Sequence, residues 1–391
     1  MSAHPHRRCL TIIVGTVFAL VVVAGCRGAE PTVTSVPATG VATSTPTATV
    51  RTGTSPPTSA LAAAARTTQE SERPAGLLSE EETATLSSLR RVDDYPLYTM
   101  HYYGAYNQLA SRGEQDRWMV RTGKLASSPP QACSLFAALG DLDNMLYGRN
   151  FDWRYSPAVL LFTDPPDGYA SVSMVDIAYL GLEDDVVRRL TDLPLAERRA
   201  LLRTPLMPFD GMNEHGLVIG MAAVPESEMP HDAGKETFDS LEVIREMLDH
   251  ARNVQEATQI LQSYNIDWGG GPPLHYLLAD AKGDSVLVEY YRGDMVLLPS
   301  DTPWNLATNF LRTAVGGSAE GVCWRHDRIR RRLSEMRGWL TVEQALHILG
   351  EVAQDNTQWS VVYDMVAGEI HVVMGRHYDD QHSFHLTSGG R

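Results

Sequence analysis

Residues 133–153 have the sequence CSLFAALGDLDNMLYGRNFDW, which contains two apolar segments separated by turn-forming residues. Cys133–Leu139 and Asn144–Trp153 have the apolar and aromatic composition of β-strands. The residues from Gly140 to Asn144 supply the glycine, aspartate and asparagine that tight turns favour. This stretch therefore predicts a β-hairpin, with its two strands side by side in one sheet.

Such a hairpin can fold Arg149 and Asp152 back beside Cys133. A cysteine attacks a carbonyl only as its thiolate, and a neighbouring guanidinium favours the thiolate. A neighbouring carboxylate could orient a protonated amine. The alternative is a surface arginine and aspartate beside a buried cysteine, and the residues alone leave both interpretations open.

The rest of the chain predicts many short strands and paired helices. Helix-like segments are Leu77–Arg91, Asp184–Leu190, Leu195–Arg203, Asp239–Tyr264, Trp324–Arg337 and Thr341–Ala353. Strand-like segments are Tyr95–Tyr106, Ala158–Thr163, Ala170–Tyr179, Gly216–Ala223, His275–Asp280, Ser285–Tyr291, Met295–Leu298, Trp359–Asp364, Glu369–Gly375 and Ser383–Leu386. Because hairpins outnumber βαβ units, we predict an α+β fold with mostly antiparallel sheets covered by helices.

Five motifs in order resemble one enzyme family. The pattern C-S-x(13)-G-R-N-F-D-W resembles the start of the mature choloylglycine hydrolases, penicillin V acylases and acyl-coenzyme A:6-aminopenicillanate acyltransferases. The later motifs of that family resemble the segments Phe209–Leu217, Thr308–Asn309, Arg325–Arg328 and Trp359–Asp364. The resemblance extends from about Tyr95 to Leu386.

The resemblance implies a four-layer αββα sandwich and an N-terminal nucleophile (Ntn) hydrolase of linear amides. Cys133 would be the first residue of the catalytic chain, with its own α-amine as general base. Arg149 and Asp152 match the family's active-site arginine and aspartate. Asn309 would help form the oxyanion hole, and Arg325 would be a second active-site arginine. The resemblance implies no cofactor and no metal, and a small-molecule amide as substrate.

Two features depart from the bile-salt hydrolases. Ala223 stands where those enzymes carry an oxyanion asparagine, so only its backbone N–H could donate, which argues against bile salts as substrates. A long segment also precedes Cys133, so the Ala132–Cys133 bond must be cut, as in the self-cleaving acyltransferases. That similarity implies two chains that remain associated after cleavage.

The N-terminus predicts a lipoprotein signal. Arg7 and Arg8 precede an apolar run from Leu10 to Gly25, shorter than the ~20 residues of a spanning helix. The run ends in small residues before Cys26, which resembles the lipobox of bacterial lipoproteins, although an uncleaved anchor remains an alternative. We expect a lipid on Cys26 and an extracytoplasmic, membrane-tethered protein.

This gives four regions along the chain. Residues 1–25 form the predicted signal peptide, and 26–76 a Thr/Pro/Ala-rich tether with too little apolar sequence to form a core. Residues 77–132 form the predicted pro-segment or first chain, and 133–391 the catalytic domain. The formal net charge of −15 argues against nucleic acid as a partner.

Three other interpretations start from the same residues. Cys133 and Cys323 could form a disulfide in an oxidising compartment. Cys133 could instead pair with a histidine in a protease-like site, for which the candidates are His215, His275, His326 and His371. The chain could also be a ligand-binding lipoprotein that keeps the fold but does not cleave amides.

Overall fold

A computed structural model describes residues 77–106, 132–182 and 184–387. All of them fall within the compact unit Arg73–Arg391. The predicted signal peptide, the tether and Cys26 lie outside the described residues, as does much of the predicted pro-segment. Every helix among the described residues is too short or too polar to span a lipid bilayer.

Two large sheets form the centre of the molecule. The nine-stranded sheet has the order β1-β2-β5-β6-β7-β8-β11-β12-β13, and its strands are β1 Arg90–Asp93, β2 Leu97–Tyr102, β5 Ala158–Thr163, β6 Ser171–Asp176, β7 Asp210–Asn213, β8 Val218–Ala223, β11 Leu274–Ala279, β12 Ser285–Tyr291 and β13 Asp294–Pro299. The six-stranded sheet has the order β14-β3-β4-β15-β16-β17, and its strands are β3 Ala132–Ala138, β4 Leu146–Asp152, β14 Trp304–Ala307, β15 Thr357–Asp364, β16 Glu369–Met374 and β17 Gln381–His385. A small parallel pair joins β9 Thr237–Asp239 to β10 Asn265–Asp267.

Helices cover the outer face of each sheet. The α-helices are α1 Glu80–Ser87, α2 Asp184–Val187, α3 Glu242–His250, α4 Val254–Ser263, α5 Arg312–Val315, α6 Trp324–Glu335 and α7 Val342–Glu351. Short 3-10 helices lie at Ile177–Leu180, Leu190–Asp192 and Leu195–Leu206. Helices α3 and α4 contact the nine-stranded sheet, and α6 and α7 contact the six-stranded sheet. The layers are therefore αββα, and the predicted fold class is confirmed.

Strand alternation separates an inner core from an outer one. Along β3, Leu135 and Ala137 belong to the cluster between the sheets, whereas Phe136 and Ala138 pack with the residues under α6 and α7. Successive side chains of a strand point to opposite faces, so each buried strand contributes to two apolar layers. This explains why these strands have nearly continuous apolar sequences.

The segment before Cys133 is part of the nine-stranded sheet. Strand β2 pairs in parallel with β5 in continuous register from Leu97 to Tyr102, and β1 extends the sheet edge through an antiparallel pairing with β2. Beyond β2, Tyr106 is buried and its hydroxyl donates to the Asp249 carboxylate at 2.9 Å. These contacts fix the described part of this segment to the catalytic domain.

Several predicted boundaries were wrong. The predicted helix Leu77–Arg91 ends at Ser87, and Arg90–Asp93 is a strand. The predicted helix Asp239–Tyr264 divides into α3 and α4 at Asn253, whose side chain caps α4 by accepting the Glu256 N–H. The region predicted as a helix near Leu195 is a 3-10 helix, and Pro205 near its end cannot donate a backbone hydrogen bond.

Candidate active site

The β3–β4 hairpin places the predicted arginine and aspartate on opposite faces of the sheet. Cys133 pairs with Phe151, so both side chains project from the same face. Arg149 lies two residues before Phe151 and shares this face, which looks toward the nine-stranded sheet. Asp152 lies one residue after Phe151 and projects the other way. The hairpin therefore brings Arg149 to the Cys133 thiol, and Asp152 to the backbone beside it.

The Cys133 thiol is buried, with 5% of the residue exposed. Burial raises the pKa of the thiol, and the positive charge of Arg149 opposes this rise. The sequence predicts that the guanidinium favours the thiolate, and the charge of Arg149 does lower the pKa of the thiol. Burial outweighs it in the uncut chain, where the Cys133 nitrogen is still an amide within β3.

Asn309 contacts the backbone on both sides of the predicted reaction centre. Its Oδ1 accepts the Cys133 N–H at 2.6 Å, and its Nδ2 donates to the Ala223 carbonyl at 2.7 Å. Arg325 completes this group: its Nη1 donates to the Cys133 carbonyl and its Nη2 to Asn309 Oδ1 at 3.0 Å. The direct partner of the Cys133 nitrogen is therefore Asn309, whereas the sequence suggests Asp152.

Asp152 is held by two neutral donors, one just before β15 and one at its first residue. Gln354 Nε2 donates to Oδ2 at 2.8 Å and Thr357 Oγ1 to Oδ1 at 2.5 Å. Burial raises the pKa of Asp152, while these hydrogen bonds and the charge of Arg325 oppose the rise. Arg325 Nη1 lies 3.9 Å from Oδ2, so Asp152 connects to the Cys133 backbone through Arg325.

Ala223 retains a backbone N–H that could act as an oxyanion donor. The next residue, Val224, donates its N–H to the Pro273 carbonyl at 2.9 Å. Along an antiparallel strand successive residues direct their N–H groups to opposite sides. The Ala223 N–H therefore points away from β11, toward the side on which its carbonyl meets Asn309.

A cavity of about 380 Å³ opens beside the Cys133 thiol. Its wall is mostly aromatic and aliphatic, with Phe151, Trp153, Tyr179, Phe209, Met221, Trp268 and Leu274 among its lining residues. Carboxylates and a guanidinium also line it, from Asp239, Glu242, Asp267 and Arg203. The volume falls at the lower end of the range for small-molecule sites. The cavity therefore offers a mostly apolar space beside the thiol.

Sequence reasoning missed three residues that hold the predicted ones, and a fourth, Tyr363, that holds one of those three. Asp210 accepts a hydrogen bond from Arg149 and another from Tyr363, and Gln354 and Thr357 hold Asp152. Asp210 stands in the Phe209–Leu217 motif, but the sequence assigns it no role in the site. The period-2 alternation of β4 could have separated Arg149 from Asp152, because residues three apart in a strand face opposite sides.

The structure of the described residues bears on two of the alternatives, the disulfide and the cysteine–histidine pair. Cys133 and Cys323 are both free thiols, so the disulfide interpretation was wrong. None of the four candidate histidines lines the cavity beside Cys133.

One group in the described ranges has possible metal ligands near one another, namely Asp93, Asp380 and His382. There His382 Nε2 lies 2.7 Å from Asp93 Oδ2, which is an ordinary histidine–carboxylate contact, and none of the three residues lines the cavity.

Comparisons with known proteins give three kinds of similarity. Residues 133–302 match the model of the linear amide C–N hydrolases, choloylglycine hydrolase family. An uncharacterized protein of Paramecium bursaria Chlorella virus 1 is 31% identical over 109 residues, which cover 26% of this chain and 38% of the viral protein.

Among solved structures, a mutant of the conjugated bile acid hydrolase from Clostridium perfringens is 16% identical, with a TM-score of 0.47 over 65% of this chain and 92% of that one. Penicillin V acylase from Agrobacterium tumefaciens is 17% identical, with a TM-score of 0.42 over 62% and 83%.

The family match begins at Cys133, the residue that the hairpin motif places first. It continues through β13, and so includes the hairpin, the Asp210 strand and all the residues that line the cavity. The family resemblance predicted from the sequence is confirmed for residues 133–302, which match the model of the linear amide C–N hydrolases, choloylglycine hydrolase family.

Proposed function

We propose that this chain cuts the Ala132–Cys133 bond and then hydrolyses linear amides, with Cys133 as an N-terminal nucleophile. The observation that carries the proposal is the convergence of four side chains on Cys133 at the wall of an apolar cavity. Arg149 lies beside the thiol, and Asn309 and Arg325 bind the Cys133 backbone. Asp152 contacts this group through its ion pair with Arg325. A buried cysteine kept only for packing would not require this set of charged neighbours.

Maturation frees the α-amine. The Cys133 sulfur attacks the Ala132 carbonyl carbon, and the C–N bond breaks as the Cys133 nitrogen takes a proton. Water hydrolyses the resulting thioester, which leaves a carboxylate on Ala132 and restores the thiol. In this proposal Arg149 favours the thiolate during the attack.

The same groups then serve an external amide. The α-amine of Cys133 takes the thiol proton as sulfur attacks the substrate carbonyl, and it passes a proton to the departing amine. The Ala223 N–H and Asn309 Nδ2 are the proposed donors to the oxyanion, for which Asn309 Nδ2 must share or leave its bond to the Ala223 carbonyl. Water releases the acyl group, and acyl transfer to an acceptor amine is the close variant.

The two chains would stay together after cleavage. The first chain contributes β1 and β2 to the nine-stranded sheet, and buried Tyr106 binds Asp249 of the second chain. Losing β2 would expose the edge of β5 and the apolar residues beneath α1. Attachment of the first chain to a membrane through a lipid on Cys26, and the extracytoplasmic location, stay predictions from the sequence.

Intact mass and an acylase panel test this proposal together. Purified wild-type protein should contain two chains, the second beginning at Cys133 by Edman sequencing, and Cys133→Ala should remain a single chain. The panel includes penicillin V, N-acyl amino acids, acyl-homoserine lactones and bile-salt conjugates, and we expect turnover of at least one apolar acyl group. A wild-type chain that stays whole and cleaves none of them would instead support the ligand-binding alternative.

A further inference from the structure

Asp210 lies in β7 of the nine-stranded sheet and faces the other sheet. It pairs with Met174 on one side and Gly220 on the other. A Cβ atom on Gly220 would lie 2.5 Å from the Tyr147 hydroxyl, which belongs to the six-stranded sheet. Because directly paired residues project from the same face, the Asp210 side chain enters the space between the sheets.

The carboxylate of Asp210 joins two side chains of the opposite sheet. Its Oδ2 accepts from Arg149 Nη1, and its Oδ1 accepts from the Tyr363 hydroxyl. Arg149 Nη1 also donates to the Phe209 carbonyl at 2.5 Å. All three side chains are fully buried, so water does not compete for these contacts. The position of the Arg149 guanidinium is thus set from across the core, by a strand of the other sheet.

We propose that Asp210 is a positioning residue for the reaction at Cys133, which holds the Arg149 guanidinium beside the thiol and shares its positive charge. This inference rests on the proposed function. Asp210 acts through Arg149, and Tyr363 supports it by fixing the second carboxylate oxygen.

Two consequences follow from sharing the charge. A guanidinium with no carboxylate partner presents its full charge to the thiol, so the thiol should ionise at lower pH when Asp210 is neutral. The same guanidinium is less firmly held, because a charge-assisted bond is about twice as strong as a neutral one. An asparagine at this position should therefore give a more acidic thiol but a slower enzyme. A purely structural carboxylate would lower stability and change neither property.

The test compares Asp210→Asn and Tyr363→Phe with Asp249→Asn in the full chain. Asp249 is a matched control, because it is also a buried carboxylate that pairs with an arginine, Arg245, and it does not line the cavity. The first readout is the pH midpoint of Cys133 alkylation by iodoacetamide, followed on the Cys133 peptide by mass spectrometry. Asp210→Asn should lower the midpoint by about one pH unit. Tyr363→Phe should shift it in the same direction by less, and Asp249→Asn should leave it at the wild-type value.

The second readout is turnover of an amide that the wild-type protein cleaves. We expect Asp210→Asn to lose at least ~10-fold in kcat with little change in KM, because the misplaced group acts on the transition state. Alkylation needs no substrate, so failure of the proposed function would leave the first readout intact. If neither Asp210→Asn nor Tyr363→Phe moves the midpoint, the positioning role is wrong. If Asp210→Asn fails to fold, the alkylation midpoint of Tyr363→Phe alone decides whether the positioning role holds.

Discussion

Arg149 and Arg245 are both buried arginines that pair with an aspartate, but they use their donors differently. Arg245 is a residue of α3, and its guanidinium donates to the Pro205 carbonyl, Asp249 and the hydroxyls of Thr163, Ser171 and Ser173. Arg149 lies between the sheets. Its Nη1 is bound, whereas its Nε and Nη2 have no hydrogen-bond acceptor among the described residues.

This is the difference expected between an arginine that stabilises the fold and one that acts in the proposed reaction. A buried charge is tolerated when its donors are satisfied, as those of Arg245 are. Leaving two donors of a buried guanidinium without acceptors costs stability, so the site beside the thiol is not optimised for folding. Such unsatisfied polar groups occur mainly at functional sites, where a substrate or a developing charge supplies the missing hydrogen-bond partner.

The largest expected effect comes from making the same substitution at both arginines. Arg149→Lys keeps the charge but loses the planar fork, and we expect kcat to fall by ~10²–10⁴ with the melting temperature nearly unchanged. Arg245→Lys should instead lose ~3 kcal/mol or more of unfolding free energy, because several hydrogen bonds cannot be remade. Its kcat per folded molecule should stay near that of the wild type.

Steady-state kinetics on a confirmed amide substrate and thermal denaturation of both variants measure this contrast. The interpretation of Arg149 as reactive would be contradicted if Arg149→Lys turned over substrate at the wild-type rate while losing stability. Equal losses of kcat at both positions would mean that the two pairs do not differ in role.

Tyr106 tests whether the Arg245 network also holds the first chain. Its hydroxyl donates to Asp249, and Arg245 lies over its ring at 5.7 Å. Tyr106→Phe removes a hydrogen bond to a charged group, so we expect a loss of about 1.5–3 kcal/mol in unfolding free energy. In cleaved protein, the first chain should dissociate at a lower urea concentration, as measured by size-exclusion chromatography. Tyr103→Phe is the control, since Tyr103 is about half exposed; equal dissociation in both variants would exclude Tyr106 as the anchor.

Much of the fold could be predicted from alternation and turn residues. Strands Ala158–Thr163 and Ser285–Tyr291 have the predicted bounds, because each is a mostly apolar segment rich in β-branched and aromatic residues between turn formers. The strand Asp210–Asn213 was missed because glycine, aspartate and asparagine favour turns in isolation. Its partners β6 and β8 supply the hydrogen bonds that make it a strand, and neither pairing is visible in a local window.

The candidate site was predictable where its residues share a hairpin and less so elsewhere. The hairpin alone placed Arg149 near Cys133, whereas Asn309 and Arg325 were found only through the family resemblance. The contact of Asp210 with Arg149 joins two sheets, and no spacing along the chain encodes it. The direct binding of the Cys133 N–H by Asn309 depends on how the loop after β14 meets β3, which tertiary packing decides.

Asp176 is another buried aspartate and is the last residue of β6. Its side chain is fully buried, and its Oδ1 accepts the Ala178 N–H at 2.9 Å, which caps the 3-10 helix that follows. Burial raises the pKa of Asp176 to about 7, although its hydrogen bonds and the charge of Arg154 oppose the rise. The unfolded chain should ionise this group near pH 4.

Between about pH 4 and pH 7 the folded protein therefore binds a proton here that the unfolded chain has released. Stability should fall as pH rises through this window, by up to ~1.4 kcal/mol per pH unit, and stay level above it. Asp176→Asn removes the titration but keeps an oxygen that can accept the Ala178 N–H. We expect the variant to equal the wild type near pH 4 and to be more stable at pH 8, as measured by urea unfolding at both pH values. Asp301→Asn, at an exposed position, should change stability at neither pH. If the difference in unfolding free energy between Asp176→Asn and wild type were the same at pH 4 and pH 8, burial of this carboxylate would not carry the expected electrostatic cost.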